Sequence, residues 1–299
     1  MTSTRYVRAV ILSVAMVIAG SGVAVSQAGS LKLINLGSHR LEAYIEGEGD
    51  PTVVIDAGLG EGIANWRAVQ ESIATVTRVV TYNRAGYGGS DPGPLPRACG
   101  REVEELKALL DSASIAGPYV LVGHSLGALN AAVFASKYPD RIAGMVLLDP
   151  PPLSFIRREV YPGLLATADE MTGKWQAQAD SGATSSDPRT RAEATFLRMI
   201  ASEHREMFGG ESEKEISEIS TFGDIPLIVI ASGKPNPAFG DVAEEFQEYW
   251  VDQSRAICRK SSSGMFVLAE KSSHQLHVDA PDLVDDIILS VVHQIRGER

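Results

Sequence analysis

The segment "YVLVGHSLGALNAAVFA", residues 119–135, constrains the fold more than any other stretch of the chain. Tyr119 to Val122 is a β-branched and aromatic run that predicts a buried strand. Leu126 to Ala135 predicts a helix whose alanines allow close packing on a sheet. Little chain lies between them, so the turn is tight and forces an unfavourable backbone angle on its central residue. Gly123 and Gly127 remove the side chains that would collide there. Ser125 should therefore stand proud of a sheet, its backbone near a helix N-terminus.

The rest of the chain supplies that sheet. "LKLINLGSHRLEAYIEG" has a hairpin pattern turning near Gly37-Ser38. "PTVVIDAG", "TRVVTYN", "IAGMVLLDP", "IPLIVIASG" and "GMFVLAEK" read as further strands, separated by helical stretches such as "REVEELKALLDSAS" and "PDLVDDIILSVVHQIR". Continuous apolar strands alternating with helices predict an α/β fold, with a mostly parallel sheet covered on both faces. The alternation breaks after Pro150 and resumes near Phe222. Residues 153–222 read as a helical insertion over the C-terminal edge of the sheet, where open α/β folds bind ligands. Within it, "DSGATSSDP" reads as a flexible loop.

Residues 1–28 have the form of an export signal: Arg5 and Arg8, an apolar stretch from Ala9, and small residues ending at Ala28. A secreted or periplasmic domain from residue 29 to 299 follows, the alternative being a membrane anchor left uncleaved. No later segment is apolar and long enough to insert in a membrane. The formal net charge of −11 argues against nucleic acid as a partner, which requires clustered Lys and Arg. Cys99 and Cys258 could pair in an oxidising compartment or remain two thiols. No Cys or His group has metal-ligand spacing.

Ser125 between a strand and a helix, in Gly-x-Ser-x-Gly, reads as a nucleophile elbow. A serine hydroxyl needs a general base. That base is expected after the last strand, where "SSHQLHVDAPDLV" offers His274 and His277. His274 follows the short serines of the loop and is the stronger candidate, whereas His277 should pack or cap. His124 points away from the serine's side and should support the elbow. His39, His204 and His293 read as surface or packing histidines. In "IDAGLGEGIANW", Gly58 and Gly60 turn the chain at the same edge, so the backbone amides of Leu59 and Leu126 can face a substrate oxyanion.

With "GHSLG", "NRAGYGGSDPGP" and "SSHQLHVDAPDLV" in this order, the chain resembles the α/β-hydrolase superfamily from about residue 33 onward, and in particular serine hydrolases with a helical cap, of carboxylesterase or lipase type. The resemblance is weakest in the cap. It implies an eight-stranded sheet and no cofactor. The chain departs from the pattern at three places. Asn83 stands where relatives carry aspartate, Ala57 where they carry histidine before Gly58, and Asn236 near the usual position of the triad acid. An amide cannot stabilise an imidazolium as a carboxylate does. Some relatives carry the acid one strand earlier, which makes Asp149 the first candidate; Asp241 is the second, with Asn236 as a weak orienter.

The expected activity is hydrolysis of a small uncharged ester through an acyl-enzyme. Superfamily relatives that are dehalogenases and epoxide hydrolases use an aspartate nucleophile, which Ser125 disfavours. A lactonase, amidase, peptidase or cofactor-free haloperoxidase stays open, as does a binding protein that kept the fold and lost the triad. Nothing in the sequence speaks to oligomeric state.

Overall fold

The computed structural model describes residues 29–154 and 159–298; the expected export signal lies outside them. Eight strands form one sheet: β1 (Ser30–Asn35), β2 (Arg40–Glu46), β3 (Thr52–Asp56), β4 (Val79–Tyr82), β5 (Tyr119–His124), β6 (Ile142–Leu148), β7 (Leu227–Ser232) and β8 (Gly264–Ala269). Their spatial order is β1-β2-β4-β3-β5-β6-β7-β8. The first two strands are an antiparallel hairpin, β2 meets β4 antiparallel, and every later pairing is parallel. The order matters for function. From β3 the chain passes to β4 on one side, then returns to β5 on the other. The segments leaving β3 and β5 therefore emerge side by side, with Asp56 in register with Gly123, and a reversal of this kind opens a crevice at the C-terminal edge.

Alternate residues of the central strands feed two cores. Val54, Val80, Leu121 and Leu147 face one layer, formed by α2 (Cys99–Ser112), α3 (Leu126–Lys137) and the end of α7 (Ala243–Cys258). Val53, Ile55, Val79, Val122 and Val146 face the other, formed by α1 (Arg67–Ile73) and α9 (Pro281–Arg296). Helix α9 shows why the sequence pattern works: Val284, Ile288, Val291 and Val292 fall on one stripe and are fully buried. Pro281 opens the helix where a missing N–H costs nothing, and Gly297 closes it at a φ of 69°. Cys99 and Cys258 are both buried free thiols, so the possible disulfide does not form; burial raises the pKa of each.

Between β6 and β7 the chain leaves the sheet for a helical cap of α4 (Pro162–Gly182), α5 (Pro188–Met207) and α6 (Glu211–Ser217). The flexible loop expected over "DSGATSSDP" is shorter than its composition suggests, because Asp180 to Gly182 complete α4. Asp180 explains the difference. It accepts from Gln176 Nε2 one turn earlier and from Arg198 on α5, each at 3.0 Å. The remaining link ends at Asp187, whose carboxylate caps α5 by accepting from the Arg189 amide at 3.1 Å. A one-turn helix, α8 (Leu276–Asp279), precedes α9. No helix of the described residues is long and apolar enough to cross a membrane.

Candidate active site

Ser125 sits at the end of β5 with φ 50° and ψ −118°, a conformation that costs a side-chain-bearing residue about 1–3 kcal/mol. The flanking glycines are required sterically. A Cβ on Gly123 would lie 2.5 Å from the Gly127 carbonyl oxygen, and one on Gly127 would lie 2.0 Å from the Asp56 oxygen. The Ser125 amide donates to the Leu148 carbonyl at 3.0 Å, tying the elbow to the end of β6. Leu126 is the first residue of α3, where an amide has no acceptor within its own helix.

Asp149 follows β6 directly, in a left-handed conformation with φ 45°. Its Oδ1 accepts from the Ser232 amide at 2.8 Å and its Oδ2 from the Ser232 hydroxyl at 2.9 Å. The same Oδ2 lies 2.6 Å from Nδ1 of His274, in the loop after β8. The Asp149 side chain is 3% exposed and that of His274 36%, so a buried carboxylate meets a partly exposed imidazole. Trp250 of α7 stands edge-on to the His274 ring, with centroids 6.2 Å apart. Asp241 is exposed in a 3-10 segment, Pro237–Val242, and Asn236 is exposed just before it. The carboxylate beside His274 is Asp149.

Leu59 lies in the loop after β3, which is held by Glu61, a residue without a sequence signal of its own, and through it by His124, expected to support the elbow. Glu61 Oε2 accepts from the Gly58 amide at 3.0 Å and from Trp66 Nε1 at 3.3 Å. It also lies 3.0 Å from His124 Nδ1, while His124 Nε2 lies 2.8 Å from the His274 carbonyl oxygen. Both His124 partners are acceptors, so both ring nitrogens donate. Burial opposes the charge of this imidazole, yet Glu61 raises its pKa. Burial likewise opposes the Glu61 charge, and His124 holds that carboxyl well below the usual range. His124, the residue before Ser125, thus supports both the loop carrying Leu59 and the backbone at His274. His277 packs, stacked on Trp66 at 4.3 Å, and burial together with the His124 charge pushes it down to about 4. His204 packs inside the cap against Trp175 and Phe208, and burial pushes it down to about 4.

Glu61, His124 and His277 offer donor atoms within 4.8 Å of one another, a set chemically suited to a divalent metal. Two of the three are already committed: Glu61 Oε2 takes three N–H donors, and each His124 nitrogen has its acceptor. Hydrogen bonding accounts for this cluster, apart from the two bare nitrogens of His277.

Asn83 also finds its reason here. Its Nδ2 donates to Glu42 Oε2 at 2.6 Å and its Oδ1 accepts from the Ile63 amide at 3.0 Å. An aspartate in its place would set two carboxylates together.

A family model described as "alpha/beta hydrolase fold" matches residues 51–198, which include the loop after β3, the turn at Ser125 and Asp149. "Uncharacterized protein YqjL" of Bacillus subtilis (strain 168) is 28% identical over 247 residues, covering 82% of this chain and 85% of that one. Among solved structures, a putative lipase (lip1) from Acinetobacter baumannii AYE superimposes with a TM-score of 0.68 at 15% identity, over 90% of this chain and 92% of that one. The haloalkane dehalogenase DatA from Agrobacterium tumefaciens C58 superimposes with a TM-score of 0.64 at 14% identity, over 89% and 97%. Strand order, elbow and family model agree, and the chain belongs to the α/β-hydrolase superfamily.

Proposed function

We propose that this chain is a serine esterase acting on small uncharged esters. Ser125 Oγ attacks the ester carbonyl and its proton passes to His274 Nε2. Asp149 holds the imidazole in the tautomer with Nδ1 protonated and stabilises the imidazolium. The amides of Leu59 and Leu126 receive the oxyanion. Collapse expels the alkoxide, which takes the proton from His274, and water repeats the sequence on the acyl-enzyme. The 2.6 Å contact between His274 Nδ1 and the buried Asp149 carboxylate carries this reading, because it supplies the acid whose usual position holds Asn236. It also weakens the case for a binding protein without a triad.

The fold alone does not select the chemistry, since both a putative lipase and a haloalkane dehalogenase superimpose on it. Serine at the elbow favours acyl transfer over dehalogenation. Residues 1–28 are read as an export signal, which a mature N-terminus near Gly29 in a bacterial host would support. Turnover of p-nitrophenyl esters of rising acyl length tests the activity. The reading expects hydrolysis with a preference among lengths and its loss in Ser125→Ala; equal turnover in that variant contradicts it.

A further inference from the structure

Three successive peptide units around the proposed oxyanion donor are pinned by side chains. Arg84 donates from Nη1 to the Ala57 carbonyl at 2.6 Å and from Nη2 to the Gly58 carbonyl at 2.8 Å. Glu61 accepts from the Gly58 amide, and the Tyr87 hydroxyl accepts from the Gly60 amide at 3.2 Å. A trans peptide points its C=O and N–H in opposite directions. Holding the Gly58 oxygen toward Arg84 therefore aims the Leu59 N–H the other way. None of these bonds uses the Leu59 N–H.

Both Arg84 and Tyr87 are held in turn by one residue of the cap. Glu203 on α5 is fully buried, accepting from Arg84 Nε at 3.2 Å and Nη2 at 3.1 Å, and from the Tyr87 hydroxyl at 2.5 Å. The helix presents the rest of the same stripe to the same loop. Met199 and Ile200 cluster with Tyr87, Leu59 and Phe196, and the Phe196 ring meets Tyr87 edge-on at 4.9 Å. Asp56 and Glu102 also face Arg84, at 3.0 and 3.8 Å. Burial works against the guanidinium charge, and among the carboxylates around it Glu203 does most to sustain it.

We propose that Glu203 is a positioning residue through which the cap sets the aim of the Leu59 amide. The claim rests on the serine-esterase reading. In it, Glu203 touches no substrate; it fixes Arg84 and Tyr87, and these fix the peptide units on either side of Leu59. The cap then does more than cover the site, since a complete oxyanion hole requires α5 in place.

The test uses the full chain with Glu203→Gln, which keeps size but removes the charge and, because an amide nitrogen donates and cannot accept, at least one of the three accepted hydrogen bonds. Tyr87→Phe is the milder companion, removing one hydroxyl and leaving the packing. Three quantities are read on p-nitrophenyl butyrate and an alkyl trifluoromethyl ketone, whose adduct with Ser125 places an oxyanion in the hole: kcat, KM and the ketone Ki. Losing a whole oxyanion donor costs roughly a hundred- to a thousandfold, so mis-aiming one should lower kcat roughly ten- to a hundredfold in Glu203→Gln and less in Tyr87→Phe. The ketone Ki should rise by the same factor, with KM nearly unchanged. A kcat within twofold of the parent in both folded variants overturns the proposal, as does a loss of kcat without a matching rise in Ki. The amide resonances of Leu59 and Gly60, followed by nuclear magnetic resonance, report aim without turnover. They should shift in Glu203→Gln; unmoved resonances overturn the proposal. A parent that neither turns over ester nor binds the ketone overturns the esterase reading instead, leaving the resonances to decide the role of Glu203.

Discussion

The two sides of Ser125 are built on different terms. On one side, the loop carrying Leu59 is clamped by buried groups from the loop itself, from β5, from the segment after β4 and from the cap: Glu61, His124, Arg84, Tyr87 and Glu203. On the other, His274 meets its carboxylate through one contact and is more than a third exposed. The difference teaches where the site can vary. An imidazole needs a carboxylate within reach of one nitrogen, and an aspartate after β6 meets that need as well as one after β7. An oxyanion donor needs direction, and in the proposed esterase that direction rests on a chain of partners.

The largest effect tests the sparse side. Asp149→Asn should lower kcat roughly a thousand- to ten-thousandfold with the fold intact by circular dichroism, since the amide favours the wrong tautomer of His274. Asp241→Asn is its control and should change kcat less than twofold; the opposite ranking would move the acid to Asp241. On the clamped side the largest effect is on stability. Arg84→Met leaves Glu203 and Asp56 without their shared cation and should cost about 3–5 kcal/mol in chemical denaturation. A loss below 1 kcal/mol would mean that the clamp is not under tension from its charges.

A smaller effect comes from Ser232, whose hydroxyl is one of two Ser232 donors on Asp149. Ser232→Ala should lower kcat about three- to tenfold, as expected for one hydrogen bond lost. The smallest expected effect is on pH dependence. His277 and His204 are held near 4 by burial, below the ordinary 6.5, so the unfolded chain takes up protons first. Stability should therefore fall as pH drops from 6.5 toward 4, and above 6.5 these two groups contribute no slope. His124 has the opposite sign: its raised pKa adds stability that is present below 6.5 and lost as pH rises through the folded value. Melting temperatures at pH 7 and pH 5 should differ less in His204→Gln than in the parent. An unchanged difference would remove His204 from the account.

Much of this architecture was legible in the sequence because each element announces itself within a few residues. The apolar run of β5, the glycines around Ser125 and the one-sided stripe of α9 each report their own local geometry. Asp149 was legible as a candidate because "MVLLDPPP" ends a strand at the right edge, though Asp241 and Asn236 could not be dismissed without the fold. The clamp was not legible. Glu203 lies 119 positions from Arg84, in a helix whose sequence "RAEATFLRMIASEHREMF" has several acids, and nothing local distinguishes the buried one. Arg84 in "NRAGYGG" and Glu61 in "GLGEG" stand in segments that were singled out for their glycines. Their burial is a tertiary property. The limits of the "DSGATSSDP" loop differ from expectation for a related reason: composition signals a loop, while a lateral bond from Arg198 to Asp180 completes the helix.

The most direct test of the central claim, that Ser125 is an activated nucleophile, is covalent capture by a fluorophosphonate probe followed by mass spectrometry of the labelled peptide. The account predicts one adduct, on Ser125, absent in Ser125→Ala and strongly slowed in Asp149→Asn. Labelling that persists in Ser125→Ala, or a parent protein that takes up no probe while folded, would contradict it.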